Sequence, residues 1–214
     1  SEDIWTATKS EWRVPKPDVQ VEVMAYQFGW NVRYPGPDGV FGAKDRSQME
    51  ATNPFGIDKY DAAGYDDLVV MNQIHLPINN NVVVNLSTMD VLHSFFLPNF
   101  RVKQDAVPGQ WIKVWFNGFK TGKYELACAE LCGSGHYGMR GELFMQSQQD
   151  YNKWLDEQYS AIKANLAANP PVVPERKAAL GEGRQGGGRL LAHRARRPPD
   201  GRHLRRQGLV FHAA

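Results

Sequence analysis

From Val19 onward, apolar and polar positions alternate in short runs rather than at helical spacing. Val19, Val21 and Val23 fall on one face of an extended segment, and Val82, Val83 and Val84 form a compact β-branched cluster. The pattern predicts strands within eight runs: VQVEVMAYQF (19–28), WNVRYP (30–35), DLVVMNQIHLP (67–77), NVVVNLSTMD (81–90), LHSFFLP (92–98), QWIKVWFNGF (110–119), GKYELACAEL (122–131) and GELFMQS (141–147). Between them PGPDG, INNN, VPGQ and KTGK carry turn chemistry, since Gly supplies positive φ and Pro pre-sets a turn. Strands at this spacing point to an all-β sandwich or barrel. Residues 37–66 are polar and turn-rich and read as one long excursion between two strands, a length that is uncommon unless the loop is functional or docked. After Gln148 the period changes: Tyr151, Trp154, Leu155, Tyr159, Ile162 and Leu166 lie near helical spacing, and PPVVPE ends the run, so one C-terminal helix is expected over 148–169.

Two segments stand apart from this pattern. Residues 1–18, with Pro15 and Pro17, read as an extended leader. Residues 170–214 read as a linker followed by an Arg/Gly-rich tail that is either disordered or the product of a reading-frame error, because such enrichment is what a GC-rich gene yields out of frame.

Composition sharpens the division. The chain of 214 residues is 42% hydrophobic, enough for one well-buried core. No window approaches the roughly 18–20 apolar residues of a membrane-spanning helix, so the chain as it stands is expected to be soluble. The formal net charge of +2 hides an asymmetry: residues 181–214 hold eight Arg against two acids, which leaves residues 1–180 with a balance of −4. An acidic body argues against a nucleic-acid-binding surface and suits a basic protein partner.

The chemistry is concentrated in CAELCGSGHYGM (128–139), where Cys128-x3-Cys132-x3-His136-x2-Met139 contains both cysteines of the chain, and His93 lies 35 residues upstream of the first. A disulfide across so short a loop would stabilise little. A structural zinc site of Cys128, Cys132, His93 and His136 has acceptable ligand types but gives Met139 no role. Thiolate, imidazole and thioether together form the set that copper prefers. Two thiolates on one loop can bridge two copper ions, which spreads the geometric change on redox and makes a relay for electrons. All three readings stay open on spacing alone.

CAELCGSGHYGM, DVLHSFFLP and KQDAVPGQ together resemble subunit II of the haem-copper cytochrome c oxidases, over roughly residues 20–147. The copper A domain of nitrous oxide reductase shares the ligand loop and is the alternative. The resemblance implies a cupredoxin-like Greek-key β-sandwich over 19–147. It implies a binuclear copper A centre with His93 and His136 as imidazole ligands, Cys128 and Cys132 as bridging thiolates, Met139 as a weak thioether ligand and Glu130 as a carbonyl ligand. In the full complex the Glu130 side chain would also reach a magnesium ion. Asp90 would support the ligand region or the docking surface, and Asp105 would be structural or interfacial.

In the family, AYQFGWNVRYP corresponds to an aromatic stretch whose usual order is Gln-Trp-aromatic-Trp; here Phe28 stands in place of the first tryptophan, the expected entry point for electrons. Trp30, Tyr26 and Tyr34 are then candidates, with Phe28, to meet the donor. The resemblance further implies cytochrome c or a fused haem c domain as donor, oxidase subunit I as acceptor, and a periplasmic location. A membrane hairpin is expected ahead of Ser1, so that this chain is a soluble fragment. His75 is read as a packing histidine, and no general acid, base or nucleophile is expected.

Overall fold

The protein is described here by a computed structural model, which covers Thr6 and residues 14–168. Apart from Thr6, the expected leader through Arg13 lies outside the described residues, as do the linker and the Arg/Gly-rich tail. Two five-stranded sheets make the fold. The first has the order β3-β2-β1-β5-β8, from Leu68–Met71, Gly29–Tyr34, Val19–Tyr26, Val82–Thr88 and Ile112–Phe116. The second has the order β4-β10-β9-β6-β7, from Gln73–Pro77, Arg140–Gln146, Gly122–Cys128, His93–Leu97 and Val102–Ala106.

The alternation in the sequence explains how the sheets meet. Val21, Val23 and Ala25 of β1 and Val82, Val84 and Leu86 of β5 point inward from the first sheet. They meet Phe95, Leu97, Leu126, Leu143 and Met145 of the second, so that both inner faces lose their apolar surface to water. β1 pairs parallel with β5, from Val19↔Val82 to Ala25↔Thr88, and antiparallel with β2.

Ten strands occur among the described residues where eight runs were expected, for two reasons. The run 67–77 is broken at Asn72, which takes φ 55° and passes the chain from the first sheet to the second. Its polar groups secure the crossing: Asn72 N–H donates to Trp30 O at 2.7 Å, Trp30 N–H donates to Asn72 Oδ1 at 2.8 Å, and Glu142 N–H donates to Asn72 O at 2.9 Å. The second addition, β7, is an edge strand of mixed character that carries no apolar alternation of its own.

Residues 37–66 do form the expected excursion, and they cover the outer face of the first sheet. Arg33, fully buried, reaches Glu22 at 3.0 Å, Asp67, and the carbonyl of Gly42 at 2.7 Å, while Lys44 pairs with Glu22 at 2.6 Å. Phe41 and Phe55 close over the Arg33 guanidinium at 5.1 and 5.9 Å from the ring centroids. Asp45 and Asp61 cap the short 3-10 turns of the excursion through the N–H groups of Ser47 and Ala63.

The C-terminal helix α1 (Gln148–Ala168) starts where Ser147 accepts from Asp150 N–H at 3.1 Å, a capping arrangement. It packs at the end of the sandwich remote from the cysteines. Trp154 stacks on His75 at 4.0 Å, and His75 stacks in turn on Phe144 at 4.5 Å, which places His75 as the packing histidine expected. The Tyr159 hydroxyl donates to Pro35 O at 2.5 Å. No helix among the described residues is long and apolar enough to cross a membrane.

Candidate metal centre

The residues singled out in the sequence converge at one end of the sandwich because of strand register. β9 and β10 are antiparallel neighbours, so the segment joining them, 129–139, is held between two fixed ends, closed by Cys128 N–H donating to Met139 O at 3.2 Å. β6 lies beside β9 with Phe95 opposite Cys128, which brings His93 at the start of β6 next to that loop. Ala129 N–H donates to Ser94 O at 3.0 Å, and the Ser94 hydroxyl donates to Asp105 at 2.8 Å, so Asp105 acts as a strut behind the ligand strand.

The donor atoms surround a pair of sulfurs. Cys128 Sγ and Cys132 Sγ lie 3.8 Å apart and are not joined as a disulfide. His93 Nδ1 lies 3.9 Å from Cys128 Sγ, and the Glu130 carbonyl lies 3.2 Å from it. His136 Nδ1 and Met139 Sδ lie 3.5 and 3.7 Å from Cys132 Sγ. His93, Cys128 and Cys132 form a group whose ligand atoms fall within 4.8 Å of one another. Two thiols side by side, each flanked by an imidazole nitrogen and a weaker donor, fit a pair of copper ions that share both sulfurs. A single tetrahedral zinc would leave Met139 and the Glu130 carbonyl unused.

Asp90 orients the first histidine. Its Oδ1 lies 2.8 Å from His93 Nε2, which leaves Nδ1 facing the sulfurs, the carboxylate–histidine arrangement common behind metal ligands. Burial pulls the Asp90 carboxyl upward, but the His93 ring and the N–H groups of Gln27 and Val91 outweigh it and hold it below the usual carboxylate value. The Cys132 thiol is pushed up to about 11, first by burial and then by the neighbouring Cys128. Cys132 must therefore shed its proton when a metal binds.

The aromatic candidates separate. Trp30 is fully buried, edge-on to Phe95 at 5.8 Å and to His93 at 6.4 Å, so it backs the site and offers no face to a docking protein. Tyr34 is buried at the opposite end of β2, against Trp154, and is remote from the cysteines. The expectation that either meets the donor fails because the period-2 alternation turns both side chains inward. Tyr26 is half-buried at the end of β1. Phe28 remains at the surface, its ring lying over Gly135: a Cβ there would come within 2.5 Å of it. Gln27, not among the expected site residues, donates its side-chain amide to the Cys132 carbonyl at 2.6 Å across 105 residues of sequence.

Residues 19–142 match the family model for the periplasmic domain of cytochrome c oxidase subunit II. The chain belongs to the cytochrome c oxidase subunit II family. It is 42% identical over 161 residues to the alternative cytochrome c oxidase subunit 2 of Bradyrhizobium diazoefficiens, an overlap covering 75% of this chain and 57% of that relative. It is 32% identical over 170 residues to cytochrome c oxidase subunit 2 of Cereibacter sphaeroides, covering 75% and 56%. The crystal structure of the periplasmic domain of subunit II from Bradyrhizobium japonicum superposes with a TM-score of 0.52 at 28% identity, covering 70% of this chain and 99% of that one. The chain thus spans little more than half the length of these two curated relatives. Subunit II membership agrees with the cupredoxin-like fold, and copper A is the cofactor of this domain family, consistent with the cysteine and histidine group.

Proposed function

We propose that this chain is the electron-entry domain of a terminal oxidase, in which His93, Cys128, Cys132, His136, Met139 and the Glu130 carbonyl hold two copper ions. When bound, copper A supplies a one-electron couple delocalised over two metals, with little change of geometry between its states. The chain's own residues provide the rest. Asp90 fixes the His93 ring, the β9–β10 loop keeps the sulfurs 3.8 Å apart, and the buried Trp30 and Met139 keep water from the inner side.

The donor in this reading is a cytochrome c or a fused haem c domain, and the acceptor is a haem in oxidase subunit I, where oxygen is reduced. The observation that supports a docking role is the apolar rim of the site. Phe28, Val91, Leu92, Leu131 and Tyr137 are all exposed and all lie on the turns that carry or flank the ligands, with Leu131 78% and Tyr137 84% accessible. The acidic balance of residues 1–180 would steer a lysine-rich cytochrome. The Glu130 side chain would reach a magnesium ion only where subunit I completes the site. A periplasmic location completes this reading.

The test is metal analysis and spectroscopy of the copper-loaded chain. Two coppers per chain, intense visible and near-infrared bands and an electron paramagnetic resonance signal shared by two nuclei are expected, and Cys128→Ser should abolish the shared signal. A colourless protein holding one zinc would refute the assignment.

A further inference from the structure

The turn between β1 and β2 does more than present Phe28. Gln27 at its tip has two hydrogen bonds that leave in different directions. Its backbone N–H donates to Asp90 Oδ2 at 2.7 Å, and Asp90 Oδ1 meets His93 Nε2 at 2.8 Å. Its side-chain Nε2 donates to the Cys132 carbonyl at 2.6 Å, across 105 residues of sequence. One residue thus touches both halves of the ligand set, His93 on β6 through Asp90 and Cys132 on the β9–β10 loop directly.

The neighbouring glycine shows that this approach is built in. A Cβ on Gly133 would fall 2.8 Å from Gln27 Nε2, and Gly133 sits at φ 133°, a backbone conformation that side chains rarely adopt. The chain therefore turns away immediately after Cys132 in a manner that leaves its carbonyl open to the amide.

We propose that Gln27 is a positioning residue for the copper centre, setting the second cysteine and the first histidine relative to each other and tuning the centre through the Cys132 carbonyl. This rests on the copper reading above. The physical argument is electrostatic as well as geometric. An amide N–H aimed at the carbonyl of a ligating residue puts positive charge near the sulfur loop. It therefore favours the more electron-rich, reduced state of whatever the sulfurs hold.

Gln27→Leu keeps the bulk and the backbone N–H, so the Asp90 arm survives while the Cys132 arm is lost. Gln27→Asn keeps the amide but is one methylene too short to reach. Both copper-loaded variants should have a lower reduction potential than the parent chain, and should release copper to a chelator about tenfold faster, the size of effect typical of residues behind metal ligands. Urea denaturation of the same samples would separate this from simple folding damage. Variants with an altered urea midpoint but the parent's potential and release rate would overturn the proposal. So would an Asn variant indistinguishable from the parent beside an impaired Leu variant, because polarity rather than the bond would then be responsible. A parent chain that takes up no copper would overturn the copper reading itself, whereas a parent that loads normally beside unaffected variants would overturn only the role of Gln27.

Discussion

At the residue scale, the donors divide by how firmly each is held. Cys128 and Met139 are tied to each other by a backbone hydrogen bond and His93 is held by Asp90, whereas Cys132 is reached through its carbonyl by Gln27. A thioether is a weak ligand that tunes more than it binds. Met139→Leu is therefore expected to retain two coppers and the colour while raising the reduction potential, as checked by copper analysis and a redox titration. Gly135 touches the Phe28 ring, so Gly135→Ala should push that ring off the loop and slow electron uptake from a cytochrome c in stopped-flow assays, with copper content unchanged. Legibility at this scale was uneven. The ligand types and their spacing could be read directly, because metal chemistry demands particular atoms. The burial of Trp30 and Tyr34 could have been read too, since both share the inward parity of Val32 on β2. The Gln27 contact could not, because it joins turns that are distant in sequence.

Among the elements, the strands that follow strict alternation coincide with their runs, and the exceptions are instructive. Asn72 interrupts a run that holds no glycine or proline from Leu68 to Leu76, since a single left-handed residue can turn the chain without either. β7 escapes because an edge strand needs only one partner and one covered face. The excursion over residues 37–66 is tied down by charge. Removing Arg33 would leave Glu22 and Asp67 buried with their main partner gone, so Arg33→Ala should cost about 3–5 kcal/mol in urea denaturation. The helix has its own signature in pH. Burial raises the phenol of Tyr34 and lifts that of Tyr159 to about 12, above the ordinary value of 10.0 for tyrosine in both cases. Because the folded chain holds these protons more tightly than the unfolded one, their contribution is complete below pH 10 and is lost as pH rises from there. Tyr159→Phe should make the alkaline loss of stability shallower, while costing about 1 kcal/mol at neutral pH for the hydrogen bond to Pro35.

For the whole molecule, the sandwich places its two busy ends apart, with the helix and its tyrosines at one and the sulfurs at the other. In the proposed function, the apolar rim of the sulfur end and the acidic balance of the body would divide the work of docking, the charge setting the rate of encounter and the rim its final geometry. Electron transfer from a basic cytochrome c should accordingly slow as salt rises through the range where the Debye length falls to about 10 Å, a dependence measurable by flash photolysis at fixed protein concentration. The parallel pairing of β1 with β5 has a further meaning when time is considered. The pairing of Val19 with Val82 spans β2, β3 and β4 in sequence, and the bond from Gln27 to the Cys132 carbonyl closes a larger circuit still. Loops of that span close slowly and are rewarded late. The donors around Cys128 and Cys132 therefore come into register only when segments 105 residues apart have met. During refolding, copper capture should trail the collapse of the core, so that the growth of the metal's colour times the last step of folding.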